Sequence, residues 1–153
     1  MSLFAMLVSA SIELSDNLIE IKSRNKQEHT IDATDSINEE ITITTQFKDQ
    51  NLIENALISY GLKINDDKRN LGTILENGSI KFEYNGLTYD MIFTGSFDKN
   101  EAQNIYENIK IEYGKMIQED TYNKVIERLK KMNMNLENES ITNDDSIVLT
   151  VNI

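Results

Sequence analysis

Asn77-Gly-Ser-Ile-Lys-Phe-Glu-Tyr-Asn-Gly-Leu-Thr-Tyr-Asp-Met-Ile-Phe93 carries two Asn-Gly pairs and an apolar residue at nearly every second position. Asn-Gly between alternating apolar residues is the signature of a β-hairpin, because both central positions of a type I′ turn need positive φ. With Asn85-Gly86 as that turn, Tyr84 faces Leu87, Phe82 faces Tyr89 and Ile80 faces Met91 on one side of a sheet, while Lys81 faces Asp90 on the other. Asn77-Gly78 closes an earlier turn in the same way and sets Leu75 opposite Ile80. The stretch therefore predicts a three-stranded meander whose aromatics fill a core. Its glycines serve backbone conformation and not phosphate binding.

Working outward, Ile41-Thr-Ile-Thr-Thr45 is β-branched and predicts a strand. Asp49 is placed to cap a helix bearing Leu52, Ile53, Ala56, Leu57 and Tyr60 on one face, with Gly61 as its stop. Asp98 likewise precedes Ala102, Ile105, Tyr106, Ile109, Tyr113, Met116 and Ile117, which recur at helical steps. A second helical set, Tyr122, Val125, Ile126, Leu129 and Met132, is offset from the first across Gln118-Glu-Asp-Thr121, which predicts two helices or one with a kink. A strand begins at Met134 and Leu136, Asn143-Asp-Asp145 turns, and Ile147, Leu149, Val151 and Ile153 return on one face. Near the start, Met6 to Leu14 alternates, and a turn at Asp16-Asn17 sets Leu14 against Ile19 and Ile12 against Ile21. Residues 22–40 are polar and predict a long loop. The order of pieces gives an α+β fold, a mainly antiparallel sheet with helices packed on one face, in a single domain over 1–153 whose first 40 residues form a strand, hairpin and polar-loop extension.

A length of 153 residues with 39% hydrophobic and 27% charged residues suits one globular domain. With no Cys, disulfides, thiolate metal sites and cysteine nucleophiles are excluded. The apolar run Leu3–Ala10 has no Lys or Arg before it and no window reaches the ~18–20 apolar residues of a membrane span, so a soluble, cytoplasmic protein is expected. A net charge of −11 runs through the whole chain, which disfavours nucleic acid and anionic membrane and favours a basic protein partner.

Three segments carry a family likeness. Ile41 to Leu62 presents a strand, an acidic cap and a helix ending in Gly, and Asn85 to Ile92 presents a hairpin. Tyr122 to Lys131 followed by Ser146 to Val151 presents a last helix and strand. Over residues 41–153 this order resembles the plastid and cyanobacterial hypothetical reading frame thirty-five (Ycf-type) family. The resemblance implies the α+β fold and no particular reaction.

Few residues stand in a pattern that carries recognisable chemistry. The sole histidine, His29, has Glu28 and Asp32 nearby, whereas a metal site needs several convergent ligands. Asp67-Lys-Arg-Asn-Leu-Gly72 has the glycine offset of a calcium loop, but Arg69 and Leu71 occupy ligand positions. No P-loop, dinucleotide fingerprint or nucleophile elbow occurs. The paired carboxylates Asp32/Asp35, Asp66/Asp67 and Asp144/Asp145 all fall in turns or loops, where Asp serves local hydrogen bonding. Asn77-Gly-Ser79 and Asn138-Glu-Ser140 match glycosylation sequons, relevant to a secreted chain only.

Lys124, Arg128 and Lys131 make a basic stripe on the last helix and are the candidate interaction residues, although cations there also complement the helix dipole. No catalytic residue, cofactor or metal ligand is assigned. The leading expectation is a non-enzymatic protein-interaction domain. The alternative is an acidic inhibitor, of immunity or nucleic-acid-mimic type, using Glu13, Glu20, Asp32, Asp35, Glu39 and Glu40, and a third is a small hydrolase using loop carboxylates around His29.

Overall fold

The elements run β1 (Leu3–Val8), β2 (Ile19–Glu20), β3 (Ile41–Thr44), α1 (Gln50–Ser59), β4 (Gly72–Leu75), β5 (Gly78–Tyr84), β6 (Tyr89–Gly95), α2 (Lys99–Lys131), β7 (Asn135–Ile141) and β8 (Ile147–Asn152). They come from a computed structural model that describes residues 3–8, 19–20, 40–65 and 71–152. The fold is α+β with antiparallel pairing throughout, and the chain divides into two compact units, residues 14–112 and residues 1–13 with 113–153, although it reads in sequence as one domain.

In the larger unit the strands are ordered β2-β3-β6-β5-β4. Alternation decides the faces: Ile41, Ile43, Ile80, Phe82, Met91 and Phe93 are buried, while the intervening Thr42, Lys81 and Ile92 are only partly covered. Ile53, Ala56 and Leu57 of α1 and Ala102, Tyr106 and Ile109 of α2 are likewise nearly or fully inaccessible. Phe47 joins these layers, its ring 6.4 Å from Phe82 and 6.0 Å from Tyr106. Both helix starts are capped as the sequence implies: Asp49 accepts from the Asn51 and Leu52 N–H groups, and Asp98 accepts from the Glu101 N–H. Gly61, at φ 93°, ends α1, with Leu62 N–H donating to the Leu57 carbonyl and Gly61 N–H to that of Ile58.

The meander is present, but both turns differ from expectation. Between β5 and β6 the register is Tyr84 with Tyr89, Phe82 with Met91 and Ile80 with Phe93, so the connection has four residues and not two. Lys81 consequently stands opposite Ile92 and pairs with Glu83 on its own strand, and Asp90 faces Glu83. The Asn85 side chain is the cause, because its oxygen accepts from both Leu87 and Thr88 N–H at 3.0 Å and closes the wider loop. Between β4 and β5 the turn is Glu76-Asn77, with Leu75 opposite Gly78 and Thr73 opposite Ile80. Gly78 and Gly95 lie opposite one another at φ 150° and 122°, and a Cβ on Gly78 would sit 2.0 Å from the Thr94 carbonyl oxygen. Only glycine permits that approach.

In the smaller unit β8 lies between β1 and β7, pairing Met6 with Leu149 and Leu136 with Val151. The N-terminal alternation thus marks a strand, but β1 ends at Val8 and pairs with the last strand of the chain. The hairpin expected around Asp16-Asn17 falls outside the described residues except for Ile19, which stands opposite Ile43. Helix α2 is one 33-residue helix and not two. Its residues 113–131 belong to this unit, where Tyr113, Leu129, Leu149 and Val151 are buried.

Two stability measurements probe this arrangement. Phe82→Ala should cost ~3–5 kcal/mol through the void it leaves, whereas Lys81→Ala, which removes an exposed ion pair, should cost under ~1 kcal/mol. Gly61→Ala meets open space and should lose only the ~1–2 kcal/mol of a positive φ, while Gly78→Ala should lose clearly more because of its backbone clash. Denaturant melts of the four variants rank these costs, and equal losses at Gly61 and Gly78 would refute the close approach of β5 and β6.

Candidate functional site

Lys124, Arg128 and Lys131 all lie exposed on the C-terminal turns of α2, with Lys130 beside them. Four cations in this segment face one carboxylate, Glu127, although the chain as a whole is acidic. Lys124 is held by Asp120 at 2.6 Å, one turn back on the helix. The helix end itself is closed by backbone: Asn133, at φ 54°, donates to the Lys130 carbonyl, and Met134 donates to that of Leu129. Asparagine at a left-handed position thus does here what glycine does after α1.

Strand β7 follows at once. Among the described residues it forms one edge of its sheet, and all seven of its residues are exposed. Thr142 N–H donates to the Ser146 carbonyl, so pairing alternates back along the strand and leaves the N–H groups of Ile141 and Glu139 pointing away from β8. A register shift between Leu136 and Asn138 bulges Glu137. Leu136, Ile141 and the neighbouring Met132 are large apolar side chains left in solvent, Ile141 at 70% exposure. Two contacts tie α2 to this region: Tyr122 hydroxyl donates to Glu139 at 2.9 Å, and Gln118 donates to the Asp145 carbonyl.

The carboxylate pairs do not make an acid–base site. Asp144 accepts from the Thr142 hydroxyl and the Ser146 N–H, and these bonds hold its carboxyl below the usual carboxylate range. Asp145 turns the chain at φ 60°. His29, Asp32, Asp35, Asp66, Asp67, Glu13 and Glu39 lie outside the described residues, Glu20 is placed by its backbone alone, and Glu40 is half-buried. Among the described residues no group of three or more His, Asp or Glu could hold a metal ion, and no helix is long and apolar enough to cross a membrane.

An open depression of about 390 Å³ lies where α1 begins, lined by Gln50, Leu71, Phe82, Tyr84 and Tyr89, with Lys81 and Glu83 at its side. The two tyrosine rings are 5.3 Å apart and tilted. The sequence places these tyrosines in the core, and they occupy the core side of the strands, but Tyr84 is 60% exposed. Lys81 and Glu83 pair with each other, so the depression has a neutral rim.

The basic stripe and a strand beginning near Leu136 are both legible in the sequence, whereas the edge position of that strand is not. Asn135-Leu-Glu-Asn-Glu-Ser-Ile141 has no clean alternation, and edge position is a property of sheet order. Exposure of a strand on both faces leaves only a faint trace, an excess of Asn, Glu and Ser at a predicted strand.

The Tyr122–Glu139 contact is titratable. A hydrogen bond to Glu139, then partial desolvation and the carboxylate charge, raise the Tyr122 phenol above its ordinary 10.0. The folded state therefore favours the neutral phenol, and this contribution is complete below the unfolded value and lost as pH rises through the folded one. Glu139→Ala should move the ionisation of Tyr122 back down, read by ultraviolet-monitored alkaline titration against Tyr122→Phe.

No family model matches this chain, and no curated protein or solved structure matches it either. Its function has to be argued from its own residues.

Proposed function

We propose that the chain is a non-enzymatic domain that binds another protein, with β7 as the strand onto which an extended segment of that partner adds. The observation that carries this reading is the edge position of β7 among the described strands, with all seven of its residues exposed. An added strand takes its affinity from main-chain hydrogen bonds, for which the outward groups of Glu139 and Ile141 are available. Its selectivity comes from alternate side chains, here Leu136, Glu139 and Ile141 on one face, and the stripe of Lys124, Arg128 and Lys131 supplies charge on the adjoining helix. Two of the described carboxylates near this surface have structural tasks, Glu139 with Tyr122 and Asp144 in its loop, which favours binding over acid–base work.

Ile141→Pro separates binding from folding. Proline at this edge position deletes an outward N–H and none of the bonds to β8, and its side chain leaves solvent and not core. Protein retained from a lysate of the native host by immobilised wild-type chain should be lost with Ile141→Pro, while its thermal melt changes little. Equal retention by the variant, or saturable turnover of a metabolite by the purified chain, would sink the reading.

A further inference from the structure

The chain holds the same reactive dipeptide twice in different surroundings. An asparagine followed by glycine can cyclise, because the next backbone nitrogen attacks the side-chain carbonyl carbon and glycine hinders that approach least. At Asn77-Gly78 the geometry opposes it. Gly78 is flanked by paired strands on both sides, opposite Leu75 and Gly95, the Asn77 side-chain amide nitrogen donates to Glu101 at 2.9 Å, and the Asn77 backbone carbonyl accepts from Ser96 N–H at 2.7 Å, which fixes the peptide that joins Asn77 to Gly78. At Asn85-Gly86 the nucleophile is open. Gly86 sits at φ 100° with nothing within 4 Å of a would-be Cβ, and its N–H has no hydrogen-bond partner among the described residues.

The electrophile is also prepared. The Asn85 Oδ1 accepts from Leu87 N–H and Thr88 N–H, each at 3.0 Å. Two backbone donors on one carbonyl oxygen are the arrangement that stabilises the negative charge of a tetrahedral intermediate. The leaving amide nitrogen donates to Asp90 Oδ1 at 2.8 Å and to Thr88 Oγ1 at 3.4 Å. Tyr84 hydroxyl, bonded to the Gly86 carbonyl at 2.9 Å, and Asn85 N–H, bonded to the Thr88 carbonyl at 2.9 Å, keep the loop in this shape.

We propose that Asn85-Gly86 is a self-modification site, at which the loop's own backbone promotes conversion of Asn85 to aspartate or isoaspartate. The Gly86 nitrogen bonds to the Asn85 Cγ, the Cγ–Nδ2 bond breaks, and ammonia leaves with the proton that the Gly86 nitrogen gives up through solvent. One water then opens the succinimide at either carbonyl, so water is consumed, ammonia is released and nothing is oxidised or reduced. The product has a structural consequence. A carboxylate at position 85 puts an oxygen beside Asp90, which already faces Glu83, and an isoaspartate lengthens the main chain within a four-residue loop. Conversion therefore loosens the tip of the β5–β6 hairpin and adds negative charge there.

The test uses the intact chain and its internal control. Folded protein is incubated at mildly alkaline pH, digested, and the peptides containing Asn77 and Asn85 are quantified by mass and by isoaspartate-specific methylation. Asn85 should convert about tenfold faster than Asn77 or more, and in denaturant the two rates should converge. Leu87→Pro removes one of the two donors at a side chain that is 74% exposed, and should slow Asn85 by about tenfold, a modest effect beside that of a buried oxyanion donor in an enzyme. Native conversion of Asn77 as fast as Asn85 overturns the proposal, and so does a faster Asn85 in folded Leu87→Pro, because the bonds would then be protective. If that variant unfolds, its Asn77 rate rises to match Asn85 and reports the fact, and the wild-type ratio decides.

Discussion

Residues 99–131 form one unbroken helix, and each compact unit draws buried residues from its own part of it. Ala102, Tyr106, Ile109 and Tyr113 follow steps of four, three and four, and Tyr122, Val125 and Leu129 follow steps of three and four. The interval from Tyr113 to Tyr122 is nine residues, about two and a half turns, so the two stripes are half a turn out of phase. Ala102, Tyr106 and Ile109 belong to the larger unit, and Tyr113, Tyr122, Val125 and Leu129 to the smaller one. A helix of either half-length would be marginal alone, whereas a continuous 33-residue helix incurs the cost of nucleation once. The phase change explains why the periodicity reads as two helices: hydrophobic pattern reports which face is buried, and the backbone has no obligation to break where that face moves.

The same distinction between face and path governs the meander. Every strand face was legible, because alternation sorts Ile80, Phe82, Met91 and Phe93 from Lys81 and Ile92 without reference to any partner. Register was not. Both turns differ from expectation by two positions, and a two-residue slip returns every side chain to the face it left, unlike a slip of one. Pattern cannot choose between such registers. The choice is made by contacts between residues distant in sequence, the close approach of Gly78 to Gly95, and by the Asn85 side chain, which prefers capping two N–H groups of a four-residue loop to sitting in a tight turn. Leu87, read as a strand residue, is left in solvent at the tip.

For the candidate surface the legible part was charge and the illegible part was sheet order. Lys124, Arg128 and Lys131 announce themselves by helical spacing and lie exposed as that spacing requires. Nothing in residues 135–141 announces an edge, because the strand that would make it an interior one is somewhere else in the chain or in another molecule. Sequence could show that Asp144 and Asp145 lie in a turn, and the turn does employ them. The N-terminal strand was legible as a strand, but its partner, β8, is separated from it by nearly the whole chain, the kind of pairing that local pattern cannot reveal.

Net charge and local charge point in different directions here, and distance decides between them. Exposed charges separated by more than ~8 Å are largely screened at physiological ionic strength. The net −11 therefore governs solubility and the repulsion of polyanions, while contact is governed by the groups that a partner touches. Around β7 those groups are sorted by the bulge at Glu137, which lets Leu136 and Glu139, three residues apart, fall on the same face as Ile141. That face carries Leu136, Glu139 and Ile141, the opposite one carries Asn138 and Ser140, and Glu137 projects at the bulge between them. In the proposed strand addition, main-chain pairing is indifferent to sequence, and discrimination between partners would rest on this difference between the two faces. An edge strand without it would be a general template for aggregation. A bulge and charged side chains such as the two glutamates are features with which natural sheets protect an edge from indiscriminate pairing.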